Sequence, residues 1–86
     1  MKSYIALVHK DKQSVYGISF PDFLGCISFA ESLEEIQKNS LEVLQLHIKG
    51  MLEDGHALPE PTSLDMCQDK TAVAYLLVPV NVKKPV

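Results

Sequence analysis

Eighty-six residues, 47 % hydrophobic and 22 % charged, describe one small folded domain, too short for two cores and too apolar for a disordered tail. Eight lysines, no arginine and eleven Asp plus Glu leave a net charge of −3. A chain without Arg for bidentate phosphate and guanine contacts is a poor reader of nucleic acid, and a basic protein is its better complement. No apolar run approaches the roughly 20 residues of a membrane span, and the N-terminus lacks the basic-then-apolar pattern of a secretion signal, so a cytoplasmic location without a membrane partner is expected.

The first strand is read in Tyr4-Ile5-Ala6-Leu7-Val8, whose nearly continuous apolar run predicts a central position in a sheet. Residues 9–14 are polar and form a hairpin loop. Val15 to Phe20 alternates Tyr16, Ile18 and Phe20 with Val15, Gly17 and Ser19, the period of a strand with one heavier face. Pro21-Asp22-Phe23-Leu24-Gly25 supplies a turn, and Cys26 to Ala30 a short third strand.

A helix follows. Ser32-Leu33-Glu34-Glu35 is a capping box, in which the Ser32 hydroxyl accepts from the Glu35 amide while Glu35 reaches back to Ser32. The helix runs to about Glu53, and Asp54-Gly55 closes it with glycine in the left-handed position. At about 100° per residue, Leu33, Ile36, Ser40, Leu41, Val43, Leu44, His47, Ile48, Met51 and Leu52 share one half of the wheel. Leu46 projects alone into the polar half.

Leu58-Pro59-Glu60-Pro61 is stiff and extended. Thr62 or Ser63 is expected to cap a short helical turn through Cys67. Ala72 to Val78, extending at most to Val82, is the last strand, and Pro79 places it at an ending or an edge. The order β-β-β-α-β predicts an α+β fold: a four-stranded mixed sheet with one long helix on one face. A right-handed crossover is expected to lay the last strand parallel beside the first in the centre. Cys26 and Cys67 belong to no CxxC pair and read as reduced thiols; the three histidines have no metal-ligand spacing. No nucleophile elbow, phosphate loop, dinucleotide fingerprint or zinc motif is present.

Tyr16-Gly17-Ile18-Ser19-Phe20-Pro21-Asp22-Phe23-Leu24-Gly25-Cys26 resembles the central motif of HicB-family antitoxins. So do Ser32-Leu33-Glu34-Glu35, the helix after it, and Glu53-Asp54-Gly55 leading into Leu58-Pro59-Glu60-Pro61. The resemblance spans about residues 4–80. Two positions depart from the pattern: Leu24 stands where a proline is common, and Ile36 where an alanine is common. The resemblance implies a degraded ribonuclease-H-like fold over residues 1–82 with a tail at 83–86 and no DNA-binding domain in this chain, which is either a short standalone member or the N-terminal part of a longer protein. Without arginine and without a recognition-helix pattern beyond the core helix, no operator binding is expected of this chain alone. It also implies an antitoxin that neutralises a HicA-type toxin, a small basic ribonuclease that cleaves mRNA with a catalytic His.

Two-metal nuclease chemistry needs several carboxylates around cations about 4 Å apart, one of them on the first strand. Tyr4 to Val8 and Ala72 to Val82 contain no acid, so neither an enzyme nor a cofactor or metal is expected. The candidate toxin contacts are Asp22, Glu34, Glu35 and Glu42, with Leu46 as apolar anchor. The sheet face away from the helix is left open, which predicts a homodimer with Ser28, Ala30, Tyr75 and Leu77 as candidate self-association residues. Two other functions stay open: an enzyme or small-ligand domain with Asp22 and His9 as its polar groups, and an orphan HicB-like oligomerising module without a toxin.

Overall fold

The computed structural model describes residues 2–10, 15–67 and 69–80. The expected hairpin residues 11–14 and the tail 83–86 lie outside them. Four strands, β1 (Lys2–Lys10), β2 (Tyr16–Ser19), β3 (Ile27–Ala30) and β4 (Ala74–Val80), and one helix, α1 (Leu33–Glu53), follow the order β-β-β-α-β. The sheet order is β3-β2-β1-β4, with β1 in the interior.

The fold is α+β as expected, but the sheet is antiparallel throughout rather than mixed. β4 pairs antiparallel with β1, Tyr4 opposite Val78 and Val8 opposite Ala74, and it is an edge strand, where Pro79 is tolerated. The physical reason is the linker after the helix. A strand entered directly from α1 would run parallel to β1. Instead the proline-stiffened segment first passes the start of β1, where the Tyr4 hydroxyl donates to the Pro59 carbonyl at 2.7 Å and Lys2 meets Glu60 at 3.2 Å. It then travels the length of β1. At the far end Asp69 meets His9, and the Val73 amide donates to the Val8 carbonyl at 2.7 Å. The chain therefore enters β4 where β1 leaves.

Register divides the sheet into two faces. Tyr4, Ala6, Val8, Ile18, Ala30, Val78 and Val80 turn toward the helix and join Phe20, Phe23, Cys26, Ile36, Leu44 and Ile48 in one buried cluster. Burying each large apolar side chain there contributes about 1.5–3 kcal/mol. Phe23 in the β2–β3 turn packs edge-on against Tyr4, with ring centroids 4.6 Å apart. Ser40 is the one buried polar side chain among the described residues; its hydroxyl donates to the Ile36 carbonyl at 2.5 Å, so it faces the core at little cost.

The helix begins and ends where the sequence placed it. Ser32 Oγ accepts from the Glu35 amide at 3.3 Å, and Gly55 adopts φ +77° past the C-terminus. The reciprocal half of the capping box is shifted by one residue: the Glu35 carboxylate takes the Glu31 amide at 3.0 Å, not that of Ser32. Leu33, expected on the packed side, is 71 % exposed because the helix has not yet reached the sheet at its first residue. Ser63 precedes a single 3-10 turn, Leu64–Met66, without a side-chain cap, and Thr62 bonds elsewhere.

Candidate protein-binding surface

From Glu31 to Asp54 the chain carries six acidic side chains against two lysines. The helix and its flanks thus hold the whole negative surplus. At about 100° per residue, Glu35, Glu42, Leu46 and Glu53 fall within about 40° of one another along the solvent side of α1. All four are exposed, and Leu46 is 72 % exposed beside Glu42 one turn earlier. Glu34 is also exposed but lies about 80° away from Glu42, on the flank. Among the described residues the side-chain ion pairs are Lys2–Glu60 and His9–Asp69, so the ridge carboxylates are not neutralised by pairing within the described chain.

Two of the expected contact residues already have partners of their own. Asp22 is half-buried at the opposite end of the core from the helix start, and its carboxylate accepts both the Thr62 amide, at 3.0 Å, and the Thr62 hydroxyl. It fastens the linker to the β2–β3 turn. Glu35 caps the helix through the Glu31 amide while remaining on the ridge. The structure therefore brings together Glu35, Glu42 and Leu46 and leaves Asp22 apart.

On the other face the expected self-association set is divided. Ala30 is buried in the helix-side cluster, and Ser28, opposite Ile18, points the same way. Tyr75 and Leu77 are exposed on the far side. The small residues of β3 face the helix because only small side chains let α1 approach closely. Their large neighbours Ile27 and Phe29 are turned to solvent, a feature that the large–small alternation Ile27-Ser28-Phe29-Ala30 carries in the sequence. Sequence reasoning also missed Leu24, 99 % exposed in the turn where the motif often has proline.

His9 Nε2 lies 3.2 Å from Asp69 Oδ2, and both side chains are partly exposed. The Thr71 hydroxyl and amide, then the His9 ring, hold the Asp69 carboxyl below its ordinary range. Burial raises the Tyr4 hydroxyl above its ordinary value and pushes the Cys26 thiol up to about 11. His9 and Asp22 have separate partners, Asp69 and Thr62, and do not share a polar site. Among the described residues no three of His, Cys, Asp and Glu converge as metal ligands would, and no helix is long and apolar enough to cross a membrane. What the surface offers is a charged helical ridge on one side and an apolar sheet face on the other, both suited to proteins.

Residues 4–84 match the family model for the HicB-like antitoxin of bacterial toxin–antitoxin systems. The chain belongs to this HicB-like antitoxin family. The fold is similar to that of the antitoxin HicB of Burkholderia pseudomallei, with TM-score 0.80 and 28 % identity over 95 % of this chain and 65 % of that one. It is also similar to a chain of the HicA3 and HicB3 toxin–antitoxin complex, with TM-score 0.74, 22 % identity and 93 % of this chain against 99 % of that one; at this identity the likeness concerns the fold alone. In sequence it is 40 % identical over 50 residues to a 14.9 kDa protein from the rep-hol intergenic region of Haemophilus phage HP1 (strain HP1c1), covering 58 % of this chain and 38 % of that protein. The chain thus spans less than two thirds of the length of the Burkholderia antitoxin and of the phage protein.

Proposed function

We propose that this HicB-like domain binds and neutralises a HicA-type mRNA-cleaving ribonuclease in the cytoplasm, presenting the acidic ridge of α1 to the basic toxin. The observation that carries this reading is the concentration of the negative surplus between Glu31 and Asp54, without a side-chain ion pair among the described residues and flanking an exposed leucine. Exposed carboxylates steer a cationic partner and set the orientation of docking, while a solvent-facing apolar side chain among them is an anchor that desolvates on contact. Membership in the antitoxin family supports the class of partner, and the fold shared with a chain of a toxin–antitoxin complex agrees with it.

The test is titration calorimetry against a HicA-type toxin whose catalytic His has been replaced, paired with rescue of growth from the active toxin. Glu42→Lys combined with Leu46→Ala reverses one charge and removes the anchor at two exposed positions, so the fold is kept. Weakening of roughly 100-fold, with a shallower salt dependence and lost rescue, is expected. Unchanged affinity and rescue would remove α1 from the interface.

A further inference from the structure

The β2–β3 turn presents a side chain for which the fold has no use. Two consecutive turns shape it: the Phe23 amide donates to the Phe20 carbonyl at 3.0 Å, and the Cys26 amide to the Phe23 carbonyl at 3.1 Å. Gly25, the third residue of the second turn, has φ +83°. A positive φ at that position marks a type II turn, and its second residue, here Leu24, is where proline is favoured because the ring pre-sets φ. The residue in place is instead a large apolar side chain, almost wholly exposed and outside the buried cluster. A leucine that packs on nothing contributes nothing to folding. The turn nevertheless holds it firmly. Before it, Phe23 is buried, with its ring 4.6 Å from Tyr4 and 5.7 Å from His47 of α1. After Gly25, Cys26 is buried and its thiol donates to the Val43 carbonyl of α1 at 3.9 Å. Leu24 thus projects from a turn fixed at both ends, and seating it against a partner orders little that is not already ordered.

We propose that Leu24 is a second apolar anchor for the same basic toxin that the ridge of α1 receives. The proposal rests on that reading of the ridge. Position selects this occupant. Leu24 adjoins Phe23 in the chain and Leu46 adjoins His47, so each leucine is one residue removed from the contact between the Phe23 and His47 rings. Val43, reached by Cys26, likewise follows Glu42. The turn is therefore packed on the same stretch of helix that carries Glu42 and Leu46. Charge agrees with position. Residues 23–27 carry none, so the neighbouring carboxylates steer the cationic protein while the two leucines supply the contact that desolvates.

Titration calorimetry of the full chain against a HicA-type toxin with its catalytic His replaced tests it, with thermal unfolding run on the same proteins. Leu24→Pro keeps the turn and removes the anchor. It should melt at or above the wild-type temperature and bind the toxin at least about tenfold more weakly. Its salt dependence of binding should match the wild type, because no charge is altered. Leu24→Ala should weaken binding to a similar extent. Leu64→Ala removes an exposed leucine from the linker and should leave affinity unchanged. Wild-type affinity in both Leu24 variants, with Glu42→Lys, Leu46→Ala still weakened, overturns the proposal and leaves the ridge as the interface. Weaker binding confined to Leu24→Pro and accompanied by a lowered melting temperature traces to the turn itself and also overturns it, as does equal weakening by Leu64→Ala. A wild-type chain that does not bind the toxin overturns the ridge reading and this proposal with it.

Discussion

Replacing Asp22 separates a structural tie from a partner contact. The Asp22 carboxylate holds two donors of Thr62 across 40 residues of sequence, joining the β2–β3 turn to the linker that redirects the chain into β4. A hydrogen bond to a charged group contributes about 1.5–3 kcal/mol when well buried. Asp22 is half-buried and water can reach the freed Thr62 groups, so Asp22→Ala should cost about 2 kcal/mol in all, less than the sum of two buried bonds. Asp22→Asn keeps one acceptor, and its amide can donate to the rotated Thr62 hydroxyl; about 1 kcal/mol is expected. In a domain of this size each kcal/mol lowers Tm by about 4–8 °C, giving falls of roughly 8–16 °C for Ala and half that for Asn. Thermal and urea unfolding by circular dichroism measure both, and Thr62→Val in the Asp22→Ala background should add little. Toxin affinity, read well below the melting transition, should not change. A Tm within about 2 °C of wild type together with lost toxin binding would refute the reasoning and restore Asp22 to the contact surface.

The two cysteines should differ in reactivity. Cys26 is 2 % exposed with its thiol pushed up to about 11, so a thiol reagent at about pH 8 should modify Cys67 in the native protein and reach Cys26 only through unfolding; equal native rates would refute this. Because the folded-state value lies above the ordinary 9.0, the buried thiol's contribution is complete below that pH and is lost as pH rises toward about 11, so the urea midpoint should fall across that window and Cys26→Ala should flatten the fall. Ser32→Ala removes the acceptor for the Glu35 amide and should cost about 1 kcal/mol in urea unfolding, whereas Ser32→Asp should restore most of it.

Local chemistry was legible and long-range direction was not. The capping box, the glycine at φ +77° and the apolar half-wheel each depend on neighbours within a few residues, and α1 spans Leu33–Glu53 as read. The family motif was also legible, since its residues are contiguous. The sense of β4 was misread because the crossover rule governs chains that enter the next strand straight from the helix. Here Tyr4–Pro59, Asp22–Thr62 and His9–Asp69 hold a linker along β1 first, and each joins residues 40 or more apart. The same contacts give Asp22 an intramolecular partner in Thr62. Nothing local in Asp22 distinguishes a carboxylate held by Thr62 from one left in water. On β3 the sequence reading gives a short strand without saying which of its residues face the helix. Ser28 and Ala30 were named as small residues inviting a partner, and the partner they admit is α1 of the same chain.

The phase of β3 is also what separates the two surfaces. With Ala30 beneath the helix, Ile27 and Phe29 must face away from it, and the acidic residues of α1 must face away from the sheet. The linker crosses the middle of the sheet face away from the helix, where Ile5 and Leu7 are buried beside it, and the exposed Ile27 and Phe29 lie on the opposite side of the buried cluster from the charged ridge. A partner on one need not displace a partner on the other. Charge on the ridge acts on a cationic protein over a Debye length of about 8–10 Å, whereas the uncharged face acts only on contact. Raising salt should therefore weaken toxin binding, and Phe29→Lys, on the uncharged face, should keep its toxin. Loss of toxin binding from Phe29→Lys, with the fold intact, would mean that the ridge and the face do not act independently and serve a single interface.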